Sequence, residues 1–291
     1  EMLLAQMTNY EPFGITQELD TEPIFALKVE QNGLLSMEQR SVYSHVFTDN
    51  SEDDMPRVEV YRSLEKEWLI RISQVAISPI CCELVCTSDF TRGMLRIDRD
   101  CQDVRFCIDN SLMLMYAFRT APLMTLEMHA AVVVKRGEEA KRREGEEERG
   151  FLFLGHSGTG KSTHARQWLA AYDDAWLLND DNPILRVMDD GQVRVYGSPW
   201  SGKTPCYKNI DVPVGAIVKL SQAPQNKIVR VSLPQAYAYI LSSASGLKME
   251  QAMADSMYEA IKHIITHTPC YHLACLPNTE AAEVCYAGIK G

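Results

Sequence analysis

The sequence predicts an α/β chain: a P-loop core preceded by a mostly antiparallel β region. Three observations carry that expectation. The apolar run Phe151–Leu154 leads into Gly155-His156-Ser157-Gly158-Thr159-Gly160-Lys161-Ser162-Thr163, the pattern G-x-x-x-x-G-K-[ST]. Short alternating segments with turn signals and little helix fill roughly residues 1–105. Stretches rich in Leu, Met and Ala, with helical character, appear only after that. The expected division is therefore 1–105, a β-rich region, and 106–291, a P-loop domain.

Residues 1–20 are weakly patterned and read as a loose arm. Strands are expected at Glu22–Glu30, Arg57–Arg62, Trp68–Ser73, Cys81–Cys86 and Met94–Ile97. Asn32–Asp54 is polar and ends in an acidic run, which reads as a solvated loop. Asp109–Arg119 is apolar almost all round and predicts a buried helix, ended by Pro122. Thr125–Lys135 is strand-like and contains His129. Arg136–Gly150 is charged without net sign and reads as a solvated hairpin tip.

Beyond the loop, His164–Ala171 continues as helix and Ala175–Leu178 reads as a buried strand ending in Asn179-Asp180-Asp181. Pro183–Met188 and Val193–Tyr196 flank the hairpin signal Asp189-Asp190-Gly191. Gly197–Lys203 mixes small residues, Trp200 and a lysine, fitting either a substrate-facing surface or a tight turn. Asp211–Leu220 predicts a strand; Ser232 caps a helix with Pro234 in its first turn, running to Ser243. A helix over Lys248–His267, a strand over Tyr271–Leu276 and a helix over Asn278–Ile289 close the chain.

Each part of the loop has a physical task. Glycines at 155, 158 and 160 let the backbone curl so that successive N–H groups point at one anion. The following helix aims its positive N-terminus at the same place. Lys161 would reach the outer phosphates, and the Ser162 hydroxyl would ligate Mg²⁺. An apolar strand that delivers Asp180-Asp181 beside such a loop fits a carboxylate on the nucleotide's metal.

Composition excludes several classes. A net charge of −10 argues against nonspecific nucleic-acid binding. No apolar run approaches the ~20 residues of a membrane helix, and no signal peptide is visible after Glu1. Nine cysteines in a chain with 46% hydrophobic residues read as free buried thiols, which implies a cytoplasmic location. Cys81-Cys82-x₃-Cys86 lacks the spacing of a zinc site, and alternation assigns Cys82 and Cys86 to packing. His263, His267, Cys270, His272 and Cys275 invite a metal reading. Strand spacing sends His272 and Cys275 to opposite faces, which favours packing roles.

An LSGGQ-type signature is absent, and Asn226-Lys227-Ile228-Val229 lacks the aspartate of a GTPase N-K-x-D. The order His129, hairpin, Gly155–Ser162, Asp180-Asp181, then Gly197-Ser198-Pro199-Trp200-Ser201-Gly202 resembles the HPr kinase/phosphorylase C-terminal domain. It is also similar to the related ATP-dependent phosphoenolpyruvate carboxykinases, and most of all to small stand-alone proteins of that group. The resemblance covers roughly 106–291. It implies a P-loop core with a mixed, largely antiparallel sheet, ATP as substrate, and Mg²⁺ or Mn²⁺. It assigns Lys161 to the phosphates, Ser162 and Asp181 to the metal, Asp180 to acid/base chemistry and His129 to the active site. It implies phosphoryl transfer to a hydroxyl of a protein, peptide or metabolite. Carboxykinase-like activity and regulatory ATP binding stay open, as does homo-oligomer formation.

Overall fold

The computed structural model describes residues 7–15, 20–49, 56–136, 148–202 and 204–290. Most of the expected N-terminal arm, the acidic run after Asp49, the tip between Arg136 and Glu148, and Lys203 lie outside the described residues. The chain is mixed α/β with two mixed sheets. It divides into two units, one of Glu1–Met7 and Thr16–Arg119, the other of Thr8–Ile15 and Thr120–Gly291.

The first unit is built on six strands: β1 (Ala26–Glu30), β2 (Tyr43–Asp49), β3 (Arg57–Ser63), β4 (Trp68–Ser73), β5 (Ile80–Cys86) and β6 (Arg92–Ile97). Their order is β1-β6-β5-β4-β3-β2, antiparallel except for the β1–β6 pair. A short helix, α1 (Met37–Arg40), carries a capping box between Ser36 and Gln39. Leu69, Ile70, Ile72, Leu84, Leu95 and Ile97 are fully buried from β4, β5 and β6. Helix α2 (Val104–Thr120) starts where the Asp103 carboxylate accepts the Phe106 N–H at 2.9 Å. It packs on this sheet: Met115 is fully buried, and a Cβ on Gly93 would collide with the Met115 sulfur. Phe118 meets Phe90 edge-on at 5.1 Å. The helix expected to open the second domain thus belongs to the first, and the division falls after Arg119 rather than after residue 105.

The second unit begins with a 3-10 turn at Thr8–Phe13 and another at Ala121–Leu123. Its strands are β7 (Thr125–Glu127), β8 (Ala130–Arg136), β9 (Glu148–Leu154), β10 (Ala175–Asn179), β11 (Ile184–Val187), β12 (Val193–Tyr196), β13 (Asp211–Gln222), β14 (Lys227–Arg230) and β15 (Cys270–Cys275). They form one sheet in the order β10-β8-β9-β13-β12-β11-β7, extended through β15 and β14. Only β9–β13 and β13–β15 pair in parallel. Its helices are α3 (Lys161–Ala171), α4 (Leu233–Ser243), α5 (Gln251–His267) and α6 (Thr279–Lys290). Phe151 and Phe153 of β9, Trp168 of α3 and Tyr286 of α6 share one core. Burying such a side chain contributes about 2–3 kcal/mol, and here it fixes α3 against the strand that feeds the loop.

The strand expected over Thr125–Lys135 is broken. Met128 bridges to Ala244, and the His129 N–H donates to the Ser243 carbonyl at 2.7 Å. Pairing with the end of α4 diverts β7 to β11, while β8 stays with β9 and β10. Among the described residues, no helix is long and apolar enough to cross a membrane.

Candidate functional site

The site starts from backbone conformation. Gly158 and Gly160 have φ of 74° and 108°, which L side chains rarely adopt. A Cβ on Gly155 would sit 2.9 Å from the Thr159 Cβ. Only glycine permits this turn between β9 and α3. Gly160 is the N-cap of α3, so the helix begins at Lys161, three residues earlier than the sequence suggests. The first-turn N–H groups of a helix have no intrahelical acceptor, and they lie next to the loop. His156 and Ser157 are exposed at its crest; Thr159, Ser162 and Thr163 are half-buried along it.

Lys161 is buried and spends its three N–H donors inside the site. They meet the carbonyls of Gly155 at 3.0 Å and His156 at 3.4 Å, and His129 Nε2 at 2.9 Å. Burial holds the Lys161 ammonium below its ordinary pKa, partly offset by Asp181. His129 is pulled down to about 4, first by burial, then by the positive charges of Lys161 and Lys219. It is therefore neutral near pH 7. Its Nε2 carries the lone pair that accepts from Lys161, so the proton sits on Nδ1. The 3.4 Å approach of His129 Nε2 to Asp181 Oδ1 is then not an ion pair, despite its length. Lys161, bonded to His129 Nε2, is the cation of the group.

Asp180 and Asp181 lie just past β10, in a corner made by Asn179. The fully buried Asn179 side chain accepts the Asp181 and Asn182 N–H groups at 2.8 and 2.9 Å. It donates to the Ser198 hydroxyl and the Trp200 carbonyl. The two carboxylates diverge from this corner. Asp181 is half-buried and faces His129, with its carboxyl raised by burial and lowered by Lys161. Asp180 is buried and accepts from Ser201 Oγ and Gly202 N–H at 2.7 Å each and from Thr204 N–H at 3.0 Å. The Gly197–Gly202 segment is an anchored loop: Trp200 is buried and donates to the Tyr10 hydroxyl at 2.8 Å.

No protein-family model matches this chain, and no curated protein matches it. What the site can do rests on its own geometry.

Sequence reasoning missed two groups. Glu127 on β7 is fully buried, and its Oε1 has no partner. Burial pushes its carboxyl up to about 7; Asp181 raises it further and a Ser245 hydrogen bond opposes. Lys219 on β13 contributes positive charge at His129 and Lys161. With Ser221, Tyr239 and His272 it lines an open cavity of about 560 Å³ beside the loop. A second cavity, of about 540 Å³, runs from Gly158–Thr163 to Leu220, Leu276 and Pro277. Lys219 was legible only as a polar residue in an apolar strand. The His/Cys group near the C-terminus does not converge: His263 meets the Gly191 carbonyl, whereas His272 meets Ser221.

Proposed function

We propose that the chain is an ATP-dependent phosphotransferase acting on a hydroxyl, borne by a protein or peptide serine or by a small metabolite. One observation carries this reading: Lys161, His129 and Asp181, from three separate segments, meet at the Gly155–Gly160 loop. The loop suits a phosphate because side chains are excluded at 155, 158 and 160. The Ser162 hydroxyl and the Asp181 carboxylate suit a hard divalent cation such as Mg²⁺ or Mn²⁺. Such an ion neutralises phosphate charge. Lys161 would exchange its longest contact, to the His156 carbonyl, for a phosphate oxygen. Neutral His129 would hold the ammonium in place.

A carboxylate offers about four acceptor positions, and Asp180 has three filled. The remaining one would take the proton of the attacking hydroxyl, aimed by Ser201, Gly202 and Thr204. The apolar cavity at Leu276 and Pro277 suits a base; the Lys219, Tyr239 and His272 cavity suits a polar acceptor. Carboxykinase chemistry would need arginines gathered at the site. Of Arg119, Arg166, Arg186, Arg194 and Arg230, Arg166 donates to Thr163 Oγ1 beside the loop at 3.3 Å, whereas Arg119 donates to the Ile24 carbonyl, Arg194 is paired with Asp211, and Arg186 and Arg230 are exposed on β11 and β14.

The test is ³¹P NMR of the full chain with Mg-ATP, alone and with free serine, small phosphocarrier proteins or oxaloacetate. A phosphoester tied to a hydroxyl acceptor is expected, reduced about a hundredfold or more by Lys161→Ala. Phosphoenolpyruvate formed from oxaloacetate would replace this reading with a carboxykinase. ATP that binds without turnover would leave a regulatory role, and ATP that does not bind would end the proposal.

A further inference from the structure

The first unit gathers sulfur in a way the linear sequence conceals. The ladder between β4 and β5 pairs Ile72 with Cys82 and Ser73 with Ile80, so Cys81 is an extra residue in β5. Such a bulge breaks strict alternation and re-aims a side chain. Cys101 lies in the turn before α2, and Cys107 is in the first turns of that helix. The sulfurs of Cys81, Cys101 and Cys107 all fall within 4.8 Å of one another. Cys101 Sγ and Cys107 Sγ are 3.6 Å apart. A disulfide would need about 2.05 Å. Tetrahedral zinc at about 2.3 Å from each sulfur puts sulfurs about 3.8 Å apart. The Cys101–Cys107 pair is a thiol hydrogen bond whose length is close to that spacing, and Cys81 Sγ donates to the Ile72 carbonyl at 3.2 Å.

Burial raises the Cys101 thiol, and hydrogen bonds with Cys81 and Cys82 together with burial raise the Cys107 thiol, so an ion would have to displace their protons; the Cys81 thiol is held down by its hydrogen bond with Cys107. The N-terminal end of α2 lies beside Cys101 and Cys107, where a helix carries partial positive charge. Backbone hydrogen bonds hold the ligand-bearing segments. Asp98 N–H donates to the Cys81 carbonyl at 2.9 Å, and Cys101 N–H to the Asp98 carbonyl at 3.2 Å. The Ser111 hydroxyl donates to the Cys107 carbonyl at 2.7 Å. Cys82, fully buried, interacts through its thiol with Cys81 and Cys107. Cys101 is the half-buried member and gives an ion a route from solvent.

We propose that Cys81, Cys101 and Cys107 form a three-thiolate site for a soft, closed-shell cation of the zinc class. Binding exchanges thiol protons for the metal and leaves one coordination position open. The site is independent of the phosphoryl-transfer reading, since its residues all belong to the first unit.

The test uses the full chain, reduced and free of metal, titrated with Co²⁺ and then Zn²⁺. One equivalent of Co²⁺ should give thiolate-to-cobalt charge-transfer absorption and tetrahedral ligand-field bands, both abolished by Zn²⁺. Cys101→Ser should weaken Co²⁺ binding by about tenfold or more. It changes a half-buried side chain, so circular dichroism should remain that of the parent. Cys275→Ser, in the other unit, should bind as the parent does. A fully reduced chain without the charge-transfer band would overturn the proposal. So would a band that survives Cys101→Ser, or one lost equally in Cys275→Ser.

Discussion

Glu83 on β5 and Glu127 on β7 are both fully enclosed, one in each unit, yet their carboxylates meet different surroundings. Glu83 accepts from Arg71 Nε at 2.9 Å and from the Leu35 N–H at 2.7 Å, with Arg40 Nη1 at 3.5 Å. Arg71 in turn reaches Glu59 at 2.9 Å. That group closes on itself. Glu127 has an oxygen without a partner and another carboxylate, Asp181, for an electrostatic neighbour. A buried charge that its own chain completes holds a structure together. One left incomplete beside a second carboxylate, that of Asp181 in the candidate site, marks where chemistry can be done.

The largest expected effect breaks the completed side of this comparison. Glu83→Ala leaves Arg71 without its buried partner and the Leu35 N–H without an acceptor. It should cost about 4 kcal/mol, read as a lower urea midpoint for the first unit. A loss under about 1 kcal/mol would show that water replaces Glu83, and the contrast with Glu127 would vanish.

Glu127→Gln tests the incomplete side. The folded carboxyl is raised from 4.5 to about 7, so the folded chain holds this proton more tightly than the unfolded chain. Its contribution is fully present below pH 4.5 and is lost as pH rises through about 7. Gln cannot ionise. The stability of the variant relative to the parent should therefore rise by about 3 kcal/mol across that window. His129, lowered from 6.5 to about 4, gives the opposite slope but is common to both chains. Denaturation of both proteins at several pH values measures the difference; a flat difference would show that Glu127 is ionised in the fold.

This contrast explains what the sequence makes legible. The phosphate loop reads directly because nearby residues fix its backbone, and glycine alone allows the φ of positions 158 and 160. The β3–β4 hairpin and the Ser232 cap with Pro234 in the first turn of α4 read for the same local reason. β2 does not read: it is an edge strand with mostly exposed side chains, so its polarity looks like a loop. His129 reads as a strand residue, but its place in a break depends on Ser243, far along the chain. Glu127 and Lys219 sit in segments whose period announces only strands. The Cys81, Cys101 and Cys107 sulfurs meet through a bulge, a turn and a helix, which no spacing rule joins.

The smallest effect sharpens the comparison most. Asp181 adds to the upward shift of Glu127 through charge alone, after burial has supplied most of it. Asp181→Asn removes that charge with little change in shape. The Glu127 midpoint should then move down from about 7, by less than about one unit, while staying well above 4.5. Comparing Asp181→Asn with the Asp181→Asn, Glu127→Gln double variant across pH isolates this midpoint from every other titrating group. An unmoved midpoint would mean that burial acts alone and the two carboxyls are electrostatically separate. A downward shift would make them one coupled pair, in which a cation held at Asp181 lowers Glu127 as well. The orphaned oxygen would then be tied to whatever charge the site takes up.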